Sequence, residues 1–195
     1  KHMSAPQGYC RQARDRANYR IFGLIKRQPL EEHPPPAARE TTRYKRLNLI
    51  IIIQLMNDKQ LMTRAADNIR ILSAAMVERA KSGHPGGAMG GADFINTLYS
   101  EFLIFDPDRP TWSGRDRFFL DPGHMSPMLY AQLALVGKFD MEELKQLRQW
   151  GSPTPGHPEV DVERGIENTS GPLGQGHTFA VGAAIAAKFL AERLG

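Results

Sequence analysis

Cysteine is almost absent from this sequence of 195 residues, since Cys10 is the only one. A single cysteine excludes an intramolecular disulfide framework and a cysteine-rich zinc module, and it favours a reducing compartment. The longest apolar run, from Leu47 to Met56, is well short of the ~20 residues that a membrane-spanning helix needs. We therefore predict a cytoplasmic protein without a membrane partner.

Common motifs for metals and nucleotides are also missing. The sequence contains neither a Walker lysine motif nor a dinucleotide fingerprint. His84, His124 and His157 lie far apart, and no HExxH or HxxxH spacing occurs. Although histidine is a good zinc ligand, these residues are therefore not predicted to bind a metal.

Positive charge is concentrated at the start of the chain. Residues 1–55 hold 11 of the 25 Lys and Arg residues but only 4 of the 21 Asp and Glu residues. No motif of basic and aromatic residues repeats there, so a nucleic-acid partner is not predicted. The segment also lacks helical or strand periodicity. We predict a disordered leader or a non-native extension without chemistry, followed by a natural start at Met56.

Residues 56–195 show apolar residues at helical spacing between glycine-rich turns. The stripe from Met62 to Ala80 predicts a helix over 61–80 with one buried face. Asp140, followed by Glu143, predicts a helix start with a capping box. Further helices are predicted over about 87–102, 126–136, 141–150 and 176–194.

Finer predictions depend on single residues in these elements. In the second helix, Phe94, Leu98 and Phe102 are predicted to point inward. The run RFFL at 117–120 is short and aromatic, which favours a buried strand. Gly182, inside the alanine-rich last helix, predicts close packing against another backbone.

Three histidines lie in turns flanked by glycine and proline. His84 belongs to SGHPGG, His124 to DPGHMSP and His157 to TPGHPE. A histidine in a loop is most often solvated or hydrogen-bonded and has no chemical role. However, near pH 7 it can also exchange a proton and stabilise an oxyanion. The residues alone leave both interpretations open.

A fourth motif, ENTSGPLGQGH, spans Glu167 to His177. Gly171, Gly174 and Gly176 lie around the predicted start of the last helix, where unpaired amide groups and the helix dipole can receive a phosphate. A glycine-rich turn without a ligand explains the same residues equally well.

In series, the four motifs closely resemble the N-terminal, diphosphate-binding domain of transketolases. The resemblance covers about Asn57 to Gly195. It implies an α/β fold, a parallel sheet flanked by helices, of which this chain supplies mainly helices and few strands. It also implies thiamine diphosphate with Mg²⁺ or Ca²⁺ as cofactors and a homodimer as the full-length enzyme. The implied reaction, in the pentose phosphate pathway, transfers a two-carbon ketol unit from a ketose phosphate to an aldose phosphate.

Roles for individual residues follow from the same resemblance. His84 and His157 are expected to be catalytic, His84 in proton transfer and His157 at the hydroxyls of the two-carbon unit. His124 is expected on the diphosphate side of the cofactor. Gly171, through its backbone, and Leu173, through its side chain, are expected to hold the cofactor.

Departures from the family pattern lead to a further expectation. No GDG motif, which supplies metal ligands in transketolases, occurs before the sequence stops at Gly195. The pyrimidine-binding domain and the arginines that bind substrate phosphate are also missing. We therefore expect a truncated transketolase that is inactive by itself, with metal ligands downstream. Another thiamine diphosphate enzyme, such as dihydroxyacetone synthase, and a non-catalytic binding or regulatory module remain alternatives.

Overall fold

The computed structural model describes residues 59–194. The predictions for residues 1–55 and for a start at Met56 lie outside this range. No helix within it is long and apolar enough to cross a membrane. The elements in chain order are helix α1 Lys59–Ala80, α2 Pro85–Gly90, α3 Ala92–Thr97, a π-helix Leu98–Phe102, a 3₁₀ helix Gly123–Met125, α4 Ser126–Leu135, α5 Met141–Leu144, a second 3₁₀ helix Val162–Arg164, and α6 Gln175–Leu194.

Helices α1 and α4 form the centre of the core. In α1, the periodic face that buries Ala65, Ala66, Ile69 and Met76 packs on α2, α3 and α4. Helix α4 is buried along nearly its whole length, since it has neighbours on several sides. The predicted helices over 61–80 and 126–136 are thus confirmed, and together they support the turns between them.

The predicted single helix over 87–102 is wrong, because the chain forms α2, α3 and a π-helix instead. Gly91 separates α2 from α3, and the π-helix adds a wider turn. Both changes rotate the side chains away from one continuous stripe. As a result, Phe94 and Phe102 are 62% and 66% exposed, which corrects their predicted inward orientation, whereas Ile95 and Tyr99 are buried.

The strand predicted at 117–120 does not form. Among residues 59–194 the only β-type pairing is an isolated bridge between Asp161 and Ile166. A strand needs a neighbouring strand, and none lies beside this run. Instead, the side chain of Asn168 pairs with the buried main chain of Leu120: its Oδ1 accepts from the Leu120 N–H (3.0 Å) and its Nδ2 donates to the Leu120 carbonyl (3.3 Å).

Helix α5 confirms the predicted capping box but is shorter than expected. The Glu143 N–H donates to Asp140 Oδ1 at 2.8 Å, and the Asp140 N–H donates to Glu143 Oε2 at 2.9 Å. The chain then continues in turns to Trp150 rather than as a helix. A helix could not continue to Trp150 in any case, because Arg148 has a φ of +62° and its N–H donates to the carbonyl of Thr154.

The last helix, α6, is anchored at its first turn. Of the described residues of α6, only Gly176 is buried. A Cβ atom there would lie 2.4 Å from the Leu120 carbonyl oxygen. A Cβ atom on Gly182 would meet nothing within 4 Å. The predicted close packing at Gly182 is therefore wrong in the described part of the chain, where the close approach occurs at Gly176.

Candidate functional site

The three predicted histidines come together from separate turns. The ring centroids of His84 and His124 are 4.8 Å apart. His157 lies beside the second of these turns, since a Cβ atom on Gly123 would be 2.9 Å from its Cδ2. The structure thus places all three imidazoles in one cluster, which we call the histidine cluster. Their chemical roles stay predictions.

The turn of His84 is set by the end of α1 and the start of α2. Lys81 and Gly83 have φ values of +49° and +130°, so the chain reverses sharply after α1. His84 then takes the N-cap position in an extended conformation, and Pro85 begins α2. Proline is favoured at this position because its fixed φ suits the first helical turn. The two helices therefore fix the backbone of His84, while its side chain stays exposed.

Helix α4 fixes both other histidines. The 3₁₀ helix that contains His124 leads directly into it. From α4, the Ser126 hydroxyl donates to the Gly156 carbonyl at 2.7 Å, and the Tyr130 hydroxyl donates to the Pro155 carbonyl at 2.8 Å. These bonds hold the turn of His157 against the same helix.

His157 is the histidine whose protonation the surroundings disfavour. Partial desolvation of the ring lowers its pKa below the ordinary value, and the positive charge of Arg148 and the neighbouring His124 and His84 lower it further. The imidazole therefore stays neutral to a lower pH than a free histidine. A neutral ring can accept a proton or a hydrogen bond near pH 7.

The glycine-rich motif lies next to the histidine cluster. The Ser170 N–H donates to the Pro158 carbonyl at 3.0 Å, beside His157. Ser170 Oγ is also 2.8 Å from where a Cβ atom would stand on Gly123. Gly171 follows directly, with open space where a side chain would be, whereas Leu173 is 75% exposed. The structure thus brings Gly171 to the cluster and leaves Leu173 at the surface.

Several observations fit this motif to a diphosphate. Ser170 Oγ is buried and has no hydrogen-bond partner among the described residues. Gly174 has a φ of +87° and no atom near its missing side chain, so its backbone is open to close approach. The start of α6 adds the positive end of a helix dipole. These residues leave room for a phosphate, and the Asp121 carboxylate already accepts from the Gly174 N–H at the same helix start.

The described residues do not form a binding site for a divalent metal ion. No group of three or more His, Cys, Asp or Glu residues within 59–194 is arranged to hold a metal ion.

Sequence reasoning missed Asp121, which lies under the glycine-rich motif. Its Oδ1 accepts from the Gly174 N–H at 3.2 Å, and its other oxygen contacts His177 Nδ1. The side chain is almost fully buried, while His177 is exposed. No local signal identifies this pair, because the two residues are distant in sequence and meet only through the fold.

Asn168 is a second missed residue, and its role is testable. Replacing it with alanine leaves the buried N–H and carbonyl of Leu120 unpaired, so we expect Asn168→Ala to lower the free energy of unfolding by about 1–3 kcal/mol. Urea unfolding followed by circular dichroism measures the change. Asn68→Ala, at an exposed position of α1, is the control and should change stability little. Equal losses in the two variants would contradict the assignment.

Comparison with known proteins identifies the domain. Residues 61–195 match the family described as transketolase, thiamine diphosphate binding domain. Transketolase 1 of Escherichia coli is 54% identical over 129 residues, covering 66% of this chain and 20% of that protein. The chloroplastic transketolase-1 of Arabidopsis thaliana is 48% identical over 143 residues, covering 72% and 19%.

Solved structures agree with the sequence relatives. The transketolase from Campylobacter jejuni superposes with a TM-score of 0.63 at 46% identity, over 68% of this chain and 21% of that one. The transketolase from Leishmania mexicana gives a TM-score of 0.59 at 44% identity, over 64% and 19%. The chain thus spans about a fifth of the length of these relatives.

The predicted fold class is confirmed by these neighbours. Transketolases have an α/β fold, and residues 59–194 correspond to a mostly helical part of it without a strand. The match over 61–195 also begins after the basic segment 1–55. The convergent histidines, the glycine-rich helix start and the matched family agree, and the chain belongs to the transketolase family through its thiamine diphosphate binding domain.

Proposed function

We propose that this chain contributes one side of a thiamine diphosphate site to a transketolase-type enzyme. The complete protein would transfer a two-carbon ketol unit from a ketose phosphate to an aldose phosphate. The observation that carries the proposal is the convergence of His84, His124 and His157 beside the open backbone of Gly171. Three proton-exchanging groups next to a diphosphate-receiving helix start suit a reaction at a cofactor-bound sugar.

Each residue has a defined role in this proposal. His124 and the backbone of Gly171 hold the diphosphate, and Leu173 contacts the cofactor through its side chain. His84 moves protons to and from substrate oxygens. His157, which stays neutral near pH 7, binds the hydroxyls of the two-carbon unit. When bound, thiamine diphosphate supplies the electron sink for carbon–carbon bond cleavage.

Further parts of the proposal concern the whole protein. Mg²⁺ or Ca²⁺ would be bound by ligands outside residues 59–194, because no suitable group lies within them. The complete enzyme would be a homodimer that acts on sugar phosphates in the pentose phosphate pathway. The single cysteine supports the cytoplasm as its compartment.

Isothermal titration of the 195-residue chain with thiamine diphosphate and MgCl₂ tests the proposed site. We expect saturable binding that His124→Ala weakens about tenfold, because a hydrogen bond to a charged group is lost. His33→Ala, which removes a histidine outside the matched domain, is the control and should bind as the parent does. Absence of saturable binding would contradict a site formed by this chain. Equal affinities of both variants would contradict the role of His124.

The ketol-transfer assay separates the remaining alternatives. We expect the chain to bind the cofactor without transferring ketol units, since residues 61–195 match the thiamine diphosphate binding domain alone. Ketol transfer by the chain would contradict this expectation. Binding of a sugar phosphate without cofactor would favour a regulatory module. A different substrate profile of the complete protein would favour another thiamine diphosphate enzyme.

A further inference from the structure

Arg148 lies between two turns of the histidine cluster. Its Nη1 donates to Ser82 Oγ at 3.1 Å. Its Nε is 3.5 Å from where a Cβ atom would stand on Gly83, and 2.7 Å from the same position on Gly156. Each of these glycines immediately precedes a cluster histidine, His84 or His157. One guanidinium therefore packs against both turns and fills the space that the two missing side chains leave.

The backbone of Arg148 directs the side chain into this position. Its φ of +62° is unusual for a residue other than glycine, and such a conformation persists only where the surroundings impose it. Here the Arg148 N–H donates to the carbonyl of Thr154 at 3.0 Å, and the buried Thr154 hydroxyl donates to the Glu143 carbonyl at 3.0 Å. These bonds tie the left-handed residue to the end of α5.

We propose that Arg148 is a positioning residue of the site, whose guanidinium sets the separation between the His84 turn and the His157 turn. The proposal rests on the proposed function, since only a working site gives the separation a chemical meaning. An arginine suits this task because its planar group presents donors in several directions from a rigid fork. A lysine of equal charge cannot contact both turns in the same way.

Electrostatics supports the same assignment. Partial desolvation of the ring lowers the pKa of His157 most, and the positive charge of Arg148 and the neighbouring His124 and His84 lower it further. Glu159 and Asp161 line the same cavity as Arg148 and His157. Their negative charges act in the opposite direction, but the pKa of His157 is lowered nevertheless. Arg148 thus combines a geometric and an electrostatic effect on one histidine.

NMR of the cofactor-free 195-residue chain with labelled imidazoles tests the proposal. We expect Arg148→Gln to raise the proton affinity of His157 about threefold and to shift the amide resonances of Gly83 and Gly156. Arg148→Lys keeps the charge, so it should shift the amide resonances while raising the proton affinity less. Lys145→Gln, which removes an exposed charge from the same segment, is the control and should change neither. Unchanged His157 titration and unchanged amides in Arg148→Gln would overturn the proposal.

A second variant keeps the test decisive if Arg148→Gln does not fold. Ser82→Ala removes only the acceptor on the exposed turn, so the core is untouched. We expect it to shift the amide resonance of Gly156, which lies on the other side of the Arg148 guanidinium, and no shift there would overturn the bridging role. These readouts need no bound cofactor. Failure of the parent chain to bind thiamine diphosphate would therefore count against the proposed function, whereas the NMR result decides the role of Arg148.

Discussion

Replacing Gly176 with alanine should destabilise the chain by about 1–3 kcal/mol, whereas the same substitution at Gly182 should stabilise it by up to ~1 kcal/mol. Both glycines lie in α6, Gly176 in its first turn and Gly182 in its interior, so alanine gains helix propensity chiefly at Gly182. They differ in their surroundings. An added methyl group at Gly176 would lie 2.4 Å from a backbone oxygen, whereas at Gly182 it would meet nothing within 4 Å.

The clash at Gly176 cannot be relieved cheaply. The atoms that an alanine would meet belong to Leu120 and Asp121, and Leu120 is buried and held by both groups of the Asn168 side chain. Relief therefore requires the first turn of α6 to move away from Leu120 and Asp121. Urea unfolding of both variants measures the difference. Equal stabilities would show that the close contact at Gly176 does not form in solution.

Replacing Glu167 with glutamine should lower the free energy of unfolding by about 3 kcal/mol, because it leaves a buried guanidinium without its counter-charge. Arg115 donates through Nε to Glu167 Oε1 at 2.8 Å and through Nη2 to Oε2 at 3.0 Å. Each side chain is only 9% exposed. Glutamine preserves the shape of the side chain, so the loss would reflect the charge rather than packing. Thermal and urea unfolding both report it.

An exposed ion pair provides the matched control. Glu142 and Lys145 are paired at 2.5 Å, but both side chains lie in solvent. Glu142→Gln should therefore change stability by less than ~1 kcal/mol. Removing both buried charges together, as Arg115→Met with Glu167→Leu, should recover much of the stability lost in Glu167→Gln. A loss in the double variant as large as in the single one would contradict the charge-based account.

Local signals in the sequence were sufficient for some elements. The periodic stripe predicted α1, and Asp140 with Glu143 predicted the capping box, because both depend on neighbours within one or two turns. Phe94 and Phe102 were placed wrongly, since the break at Gly91 and the π-helix change the phase of the side chains. Periodicity cannot detect such a change unless the tertiary contacts that impose it are known.

In the candidate site, too, local sequence signals identify some residues and miss others. Each histidine of the cluster is identifiable because its own turn contains glycine and proline, and the resemblance to transketolases implied that the three serve one site. Arg148 and Asp121 have no such signal, as their partners are distant in sequence. The run at 117–120 looks like a strand, but its backbone pairs with a side chain instead of another strand. Pairing of this kind depends on three-dimensional context alone.

The hydrogen bonds from Ser126 and Tyr130 join two of the three histidine turns to one helix and leave the third turn on other helices. They attach the turn of His157 to α4, and the turn of His124 leads into the same helix. The relative position of these two turns is therefore fixed by α4. His84 instead lies at the junction of α1 and α2. The distance from His84 to the other two rings therefore follows from how α1 packs on α4, with Arg148 as a second link between the turns. Core substitutions at that helix–helix interface would tune the spacing of His84 from the other two rings, far from any residue that touches a ligand.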